Sequence, residues 1–259
     1  MKLTALSEVR ADDNFRSEHG LSYWIESGTS RILFDTGASD LFIHNANRLG
    51  ISPDGADLIV LSHGHFDHGD GLPFLEPNKL LCHPGCFVKR YRKGGSRNIG
   101  LVMNEDEIRK KFELHCSLEP LQITPDIWFL GEIPRRNDFE AISTPYVHVN
   151  GREDFIMDDT GLACVTGDGL VVVSGCAHSG ICNMTDHAMG VTGISEVSAV
   201  IGGFHLKEND ERTRRTIDYL KNLRVGRVMP SHCTREPALG AFHRAFGKNE
   251  VLAGQEFLF

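Results

Sequence analysis

One short segment limits what this chain can fold into more than any other part of the sequence. An apolar run without alternation, Leu58–Leu61, leads into the segment His63–His68, which reads HGHFDH. Such a run is typical of a buried strand, and imidazole and carboxylate groups are good ligands for divalent ions. The clustering of these groups where a strand ends predicts a metal site rather than a histidine-rich surface loop. His63 and His65 can serve one ion, and Asp67 and His68 a second.

The same pattern of an apolar run that ends in polar, ligand-type residues occurs three more times. Val171–Val173 precedes Cys176 and His178, Ser198–Ile201 precedes His205, and Val225–Met229 precedes His232. A cysteine after a buried strand is by default a small hydrophobic residue, whereas a histidine in a glycine-rich turn is a weak candidate for the core. We therefore expect His178 and His232 to be metal ligands, and His205 to be either a ligand or a general acid.

The composition excludes several classes of protein. The net charge of −8 over 259 residues argues against a nucleic-acid partner, because binding to phosphates needs a cationic surface. No apolar run approaches the roughly 20 residues of a membrane helix, and Met1–Asp13 lacks the apolar core of a secretory signal. The seven cysteines, an odd number in a long chain, do not indicate a disulfide framework. We expect a cytoplasmic protein without a membrane partner.

The order of secondary structure along the chain indicates a mixed α/β fold. Sequence patterns typical of strands and turns dominate the first half of the chain, whereas patterns of strands and helices alternate in the last quarter. This order predicts a two-layered β core with helices outside, in one domain over residues 1–259. Helices are expected at four places, namely about Ser39–Leu49, Asn104–Phe112, Glu208–Arg224 and Glu236–Phe246.

A basic segment interrupts the generally acidic chain. Residues 77–104 contain no Asp or Glu but six Lys or Arg residues, with Gly94-Gly95 among them. A glycine-containing basic loop is suited to a lid that captures phosphate or pyrophosphate, and a solvated loop that balances acidic neighbours is the alternative. The candidate contacts to an anionic small-molecule substrate are Lys89, Arg90, Arg92 and Arg97, with Arg135 as a further candidate outside the segment.

The HxHxDH segment after a strand resembles the metallo-β-lactamase superfamily. This resemblance implies a four-layer αββα sandwich, with mixed sheets, helices outside and one or two metals at the edge of the sheets. Asp35-Thr36-Gly37 resembles the family's early turn, which implies that Asp35 and Gly37 support the metal site without binding the ion. In the same terms Cys176 would reach a second metal as a thiolate, and His232 would be the last ligand.

One part of the family pattern is absent from this sequence. Most members carry another histidine before the strand that bears the Cys or Asp ligand, whereas this chain has Asp158–Leu162 there. Either Asp159 or His178 would fill the position. The resemblance therefore implies one or two divalent ions, with zinc expected and manganese, iron or nickel as alternatives.

Four strings resemble one branch of the superfamily, which contains the dihydropterin–ribofuranosylaminobenzene 5′-phosphate synthase and metal-dependent hydrolases. They are Gly131–Arg135, Ser174–Ile181, Gly202–Leu206 and Pro230–Thr234. The first expectation is hydrolysis of a phosphorylated or pyrophosphorylated small molecule by a metal-bound water, with Asp67 activating the water and His205 protonating the leaving group. The alternative is a transferase that releases pyrophosphate from a dihydropterin methyl diphosphate.

A third, non-enzymatic hypothesis remains. The chain would then be a metal-binding or redox-sensing protein, in which Cys176, Cys182 and Cys233 lie near the metal. No CxxC motif supports this hypothesis. The sequence leaves the oligomeric state open, and a homo-oligomer is compatible with it.

Overall fold

Short strands and helices follow one another along the whole chain. The computed structural model describes residues 1–259. Its strands and helices are β1 (Lys2–Ser7), β2 (Ser22–Ser27), β3 (Ser30–Phe34), α1 (Leu41–Arg48), β4 (Leu58–Val60), α2 (Phe66–Gly69), β5 (Lys79–Cys82), β6 (Arg90–Arg92), α3 (Glu105–Lys111), β7 (Glu113–Cys116), β8 (Leu121–Thr124), β9 (Ile127–Phe129), β10 (Tyr146–His148), β11 (Gly161–Thr166), β12 (Gly169–Ser174), α4 (Ile181–Thr192), β13 (Val197–Gly203), α5 (Glu211–Asn222), β14 (Arg227–Ser231), α6 (Ala238–Phe246) and β15 (Glu256–Leu258). None of the helices combines the length and the apolar character needed to cross a membrane.

These elements divide into two units, each with its own sheet. The first unit comprises Met1–Leu118, Ser143–Asp158 and Leu252–Leu258. The second comprises Glu119–Ile142 and Asp159–Val251, together with Phe259. The basic segment 77–104 belongs to the first unit. A single domain over residues 1–259 stays a prediction.

The first unit is built on a seven-stranded mixed sheet in the order β15-β1-β2-β3-β4-β5-β7. The strands from β15 to β3 pair antiparallel, and those from β3 to β7 pair parallel. Leu6, Leu33 and Ile59 of this sheet pack in one buried cluster with Phe42 and Ala46 of α1. β6 and β10 form a separate two-stranded sheet in the same unit.

The parallel strands place polar residues at one edge of the first sheet. Asp35 follows β3, His63 follows β4 after two residues, and His83 follows β5 directly. Because the carboxyl ends of neighbouring parallel strands lie at the same edge of a sheet, these three positions are brought together. The local sequence pattern of an apolar run followed by ligand-type residues therefore becomes a cluster in space.

The second unit is built on a six-stranded mixed sheet in the order β14-β13-β12-β11-β9-β8. β12, β13 and β14 are parallel, and β11 pairs antiparallel with both β12 and β9. Val172 and Val200 belong to a buried cluster that includes Leu220 of α5 and Phe242 of α6. The residues that follow the three parallel strands include Cys176, His205 and His232, and they share one edge for the same topological reason.

The predicted fold class is confirmed at the level of mixed sheets with helices. Four of the helices lie where the sequence predicted them, and α3 begins with a capping box between Asn104 and Glu107. α4 was not predicted. Its N-cap is Gly180, which provides no side-chain hydrogen bond, and its first turn contains no acidic residue, so the usual signals of a helix start are missing.

Candidate metal centre

The turn after β4 brings the imidazole groups of the HGHFDH segment together. His63 Nε2 lies 2.9 Å from His65 Nδ1, and the ring centroids of His63 and His68 are 4.2 Å apart. Two nitrogen ligands of a tetrahedral zinc ion, each at 2.0–2.1 Å, would be about 3.3 Å apart. The observed spacing of the two nitrogens is close to this value, so His63 and His65 fit a shared ion.

A chain of hydrogen bonds from Asp35 sets the orientation of two of these rings. The Asp35 carboxylate accepts hydrogen bonds from the backbone N–H and the hydroxyl of Ser62, both at 2.7 Å. It also lies 2.6 Å from His68 Nδ1, while Ser62 Oγ lies 2.9 Å from His63 Nδ1. If both Nδ1 atoms carry the proton, as these contacts favour, the Nε2 lone pairs of His63 and His68 are left to bind a metal.

The backbone before α1 is shaped around the same support. Asp35 has a φ of 58° and Gly37 a φ of 72°, both in the left-handed region. A Cβ on Gly37 would lie 2.6 Å from the Glu18 carboxylate, so glycine suits this position on both counts. The support roles of Asp35 and Gly37 stay predictions. Asp35 contacts the turn through His68, whereas the Gly37 N–H donates to the Leu21 carbonyl at 2.9 Å. The backbone N–H of Thr36 donates to the carbonyl of His68 at 2.7 Å.

Gly64 allows the metal-binding turn to approach a second loop very closely. A Cβ at this position would lie 1.8 Å from the carbonyl oxygen of Cys86, which no side chain can tolerate. The backbone N–H of Gly64 donates to Asp158 Oδ2 at 2.7 Å. Glycine at position 64 is therefore required by the close approach to Cys86, while the Gly64 N–H fixes the turn to the Asp158 carboxylate.

Arg90 lies inside the first unit, not on its surface. Its side chain is 1% exposed, its Nε atom is 3.2 Å from Asp154 Oδ2, and its Nη2 atom is 2.9 Å from Asp158 Oδ1. Burial alone would raise the pKa of Asp158, but the Arg90 guanidinium and the Gly64 N–H outweigh burial and lower this pKa. Burial and the charge of Arg90 lower the pKa of His65 to about 3, so the His65 ring is in the neutral form that binds metals.

The other basic residues of the segment 77–104 have different surroundings. Lys89, Arg92 and Arg97 are exposed. The Arg92 guanidinium lies 5.8 Å from the ring centroid of Tyr146, and that of Arg97 lies 5.2 Å from the ring centroid of Phe66. These side chains are available to an anionic ligand, whereas Arg90 is already engaged. A phosphate contact by any of the four stays a prediction.

A pocket of about 250 Å³ lies beside Arg90 in the first unit. Val88, Phe155 and Met157 contribute apolar lining, and His148 and Asp154 contribute polar lining. An apolar pocket with a few fixed polar groups is the usual form of a small-molecule site.

His19 is a candidate site residue that the sequence did not indicate. Its Nε2 atom lies 3.2 Å from Asp67 Oδ2, and its side chain is 44% exposed. The sequence gives no signal for His19, because it lies far from the HGHFDH segment and follows no apolar run. The contact with Asp67 arises from tertiary structure, and no local spacing could have revealed it.

In the second unit a group of donors follows the parallel strands. The donor atoms of Cys176, His232 and Cys233 lie within 4.8 Å of one another, and all three residues are buried. The rings of His178 and His205 are 4.4 Å apart, and the His205 backbone N–H donates to Cys233 Sγ at 3.2 Å. Thiolate and imidazole donors at this spacing fit a zinc-type ion. From the sequence, Cys233 is part of the redox hypothesis alone and is not a predicted ligand.

The backbone at this edge adopts conformations that side chains rarely take. Ala177, His205 and His232 have φ values of 49°, 51° and 51°, and each lies just after a parallel strand. Non-glycine residues in the left-handed region are uncommon and concentrate at functional sites. The backbone conformation therefore marks the same edge of the sheet as the donor side chains do, by a criterion that does not depend on residue type.

Asp159 and Arg135, the remaining predicted site residues, also lie in the second unit. Asp159 Oδ2 accepts a hydrogen bond from the backbone N–H of Ser179 at 2.9 Å and another from its hydroxyl. Burial raises the pKa of Asp159 to about 6, although these hydrogen bonds and the charge of Arg135 act in the opposite direction. Asp159 Oδ1 is buried without a hydrogen-bond partner. One carboxylate oxygen thus holds the turn that carries His178, and the other is available to a metal ion.

Comparisons with known proteins identify the family of this chain and agree with its fold. The family described as the metallo-β-lactamase superfamily matches residues 17–77. A curated protein of Methanocaldococcus jannaschii is 36% identical to this chain, over 95% of the chain and 92% of that protein. The chain therefore belongs to the metallo-β-lactamase superfamily. That relative is named 7,8-dihydropterin-6-methyl-4-(β-D-ribofuranosyl)-aminobenzene-5′-phosphate synthase, which confirms the resemblance to this branch.

Two further relatives extend the similarity over the whole chain. An uncharacterized protein of Methanocaldococcus jannaschii is 35% identical over 90% of this chain and 91% of its own length. The solved structure of Tm1679, described as a metal-dependent hydrolase of the β-lactamase superfamily, is 30% identical and has a TM-score of 0.89. It covers 100% of this chain and 99% of its own, which confirms the predicted fold of the metallo-β-lactamase type.

Proposed function

We propose that this protein is a metal-dependent enzyme that displaces pyrophosphate from a dihydropterin methyl diphosphate, with an aminobenzene-type amine or ring carbon as the acceptor. The observation that carries the proposal is the 36% identity to a synthase of this kind over 95% of the chain. The HGHFDH turn, with its converging imidazoles, supports the requirement for a metal.

The residues present fit one or two divalent ions, and zinc is the first choice. In the first unit the proposed ligands are His63, His65, Asp67 and His68. In the second unit they are Cys176, His178 and His232, with Asp159 and Cys233 as additional candidates. When bound, the ions would act as Lewis acids on the diphosphate and on the nucleophile.

The chain's own residues would orient the ligands and move protons. Asp35 would hold His68 in one tautomer through the 2.6 Å contact at Nδ1. Asp67 would accept the proton of the nucleophile, and His19 Nε2, 3.2 Å from Asp67 Oδ2, would steady that carboxylate. His205, whose ring packs against that of His178, would donate a proton to the departing oxygen.

The pocket beside Arg90 is the proposed place for part of the organic portion of the substrate. Its volume of about 250 Å³ and its largely apolar lining suit a flat heterocycle. Lys89, Arg92 and Arg97 of the first unit would contact the phosphates, and a phosphate contact by Arg135 stays a prediction. Exposed cationic side chains attract a highly charged diphosphate.

Hydrolysis is the second candidate function. It is favoured by the similarity to Tm1679, which is described as a metal-dependent hydrolase and is 30% identical over the whole chain. The same residues would serve, but Asp67 would accept the proton of a water molecule and His205 would protonate the leaving group. The two functions differ in whether the acceptor or water attacks.

An acceptor-dependence assay separates the two functions. The zinc- or manganese-loaded enzyme is given a dihydropterin methyl diphosphate with and without an aminobenzoate-type acceptor, and pyrophosphate is measured. Release that requires the acceptor supports the synthase, and release without it supports the hydrolase. Asp67→Asn should abolish either activity, whereas His115→Ala, which alters an exposed histidine, should leave it unchanged. Full activity of Asp67→Asn would contradict both proposals.

We also propose that the enzyme works in the cytoplasm on a small anionic substrate, without a nucleic-acid or membrane partner. None of the seven cysteines forms a disulfide bond, which is compatible with a reducing compartment. The net charge of −8 supports the absence of a nucleic-acid partner. A homo-oligomer is compatible with the proposal, and sedimentation analysis would measure it.

A further inference from the structure

Two thiols lie side by side where β5 and the edge strand β7 end. Cys82 and Cys116 are direct partners in the parallel register of these strands, and the Ser117 N–H donates to the Cys82 carbonyl at 3.0 Å. Paired residues on neighbouring strands point to the same face of a sheet. The distance between strands, about 4.8 Å, falls within the Cα separation that a disulfide spans. The two Sγ atoms are 3.9 Å apart.

The two thiols have different environments. Cys82 is 0% exposed, whereas Cys116 is half-buried and open to small solutes. A hydrogen bond from the Cys82 thiol lowers the pKa of Cys116 to about 7, and the nearby Arg109 guanidinium acts in the same direction. The same contact raises the pKa of Cys82 well above its ordinary value. Cys116 therefore has the character of an attacking thiolate, and Cys82 that of a thiol held in reserve.

We propose that Cys82 and Cys116 form a reversible dithiol–disulfide pair that is oxidised by hydrogen peroxide. The Cys116 thiolate attacks the peroxide, an S–O bond forms as the O–O bond breaks, and the departing hydroxide takes up a proton to become water. Cys82 then attacks the resulting sulfenic acid, so that an S–S bond forms as the S–O bond breaks. The Cys82 proton leaves with the hydroxide as a second water. The two thiols are oxidised, and one peroxide is reduced.

The other cysteines outside the candidate metal centre lack this arrangement. Burial raises the pKa of Cys164 to about 12, and it also raises the pKa of Cys182. Cys86 lies near Cys82, but it is 0% exposed and burial raises its pKa as well. Cys116 alone in this set combines partial exposure with a neighbouring thiol that stabilises its thiolate.

The test is mapping of disulfides in the folded, metal-loaded protein. The reduced protein is treated with a small excess of hydrogen peroxide, its free thiols are alkylated, and it is digested without reduction for mass spectrometry. A linked pair of peptides containing Cys82 and Cys116, which dithiothreitol separates, is expected, with Cys164 still alkylated. Unmodified Cys116, or a bond from Cys82 to Cys86 instead, would overturn the proposal.

Variants and alkylation rates provide a second, independent readout. At pH 7 Cys116 should be alkylated at least about 50-fold faster than Cys164, because Cys116 is partly exposed with a lowered pKa, whereas Cys164 is buried with a raised pKa. In Cys82→Ala the pH midpoint for alkylation of Cys116 should move upward. Peroxide should then leave a sulfenic acid on Cys116 that dimedone traps. Cys164→Ser, the matched control, should form the same disulfide as the wild type. An unchanged midpoint in Cys82→Ala would contradict the proposed role of Cys82.

Discussion

Replacing Arg90 with methionine tests whether the buried ion network holds the first unit together. Arg90 is 1% exposed, contacts the carboxylates of Asp154 and Asp158, and donates to the Gly85 carbonyl at 3.1 Å. Removing one partner of a buried ion pair typically costs about 3–5 kcal/mol, because an uncompensated charge is left inside. Here two carboxylates lose their cation. We expect Arg90→Met to lower the free energy of unfolding of this unit by at least the lower end of that range.

The loss should depend on pH in a defined direction. In the wild type the pKa of Asp158 is lowered, so its stabilising contribution is complete above its unfolded pKa and is lost only as the pH falls through the lowered value. Without Arg90, burial raises this pKa, and the variant becomes less stable as the pH rises through it. The deficit of Arg90→Met should therefore be smaller at pH 5 than at pH 7, by about 1 kcal/mol.

Urea unfolding followed by tryptophan fluorescence measures both effects. Trp24 lies in the first unit and is 3% exposed, whereas Trp128 lies in the second. In a Trp128→Phe background the signal therefore reports the first unit alone. The midpoint should fall by about 1–2 M urea at pH 7, given a slope of about 2–3 kcal/mol per molar. Arg92→Met, an exposed position on the same strand, should cost less than about 1 kcal/mol. Equal losses in both variants, or a deficit that is the same at both pH values, would refute the reasoning.

Two further predictions concern the metal-binding turn. The wild type should carry about one to two divalent ions per chain by elemental analysis after reconstitution. His63→Ala should carry fewer ions, with its circular dichroism spectrum unchanged. His115→Ala, at an exposed position, should match the metal content of the wild type. Gly64→Ala should destabilise the protein by about 3 kcal/mol or more in urea unfolding, because its Cβ would lie 1.8 Å from a carbonyl oxygen. Gly167→Ala, whose Cβ meets nothing within 4 Å, should change stability by less than about 0.5 kcal/mol. Full metal content in His63→Ala, or wild-type stability in Gly64→Ala, would contradict these expectations.

Features of this structure that depend on neighbours in sequence were predictable, and those that depend on distant pairing were not. The HGHFDH turn and the capping box of α3 are local, because each fixes its own geometry over a few residues. The partners of Arg90 lie more than sixty residues further along the chain. The charge run therefore predicted a surface lid at a position where the fold provides two buried carboxylates. His19 was overlooked for the same reason, since its contact with Asp67 joins separate segments.

The pattern of an apolar run followed by ligand-type residues was informative because the sheet topology brings the ends of these strands together. Parallel strands align their carboxyl ends, so residues after β12, β13 and β14 meet regardless of the distance between them in sequence. The sequence could not reveal which of the neighbouring donors would converge. Cys233 joined Cys176 and His232, whereas one oxygen of Asp159 was taken up by Ser179. These choices depend on backbone conformation at single residues, which composition and spacing do not specify.

The position of β15 in the first sheet has a consequence for the order in which the protein is made. β15 pairs with β1, yet all strands of the second unit, β8, β9 and β11–β14, leave the ribosome before Glu256–Leu258. The first unit is thus begun first and completed last, the reverse of the usual N-terminal-first order of folding during synthesis. Until then one edge of β1 lacks its partner, and an unpaired strand edge invites pairing with other chains. A chain shortened to end before residue 256 should therefore aggregate more readily than the full chain.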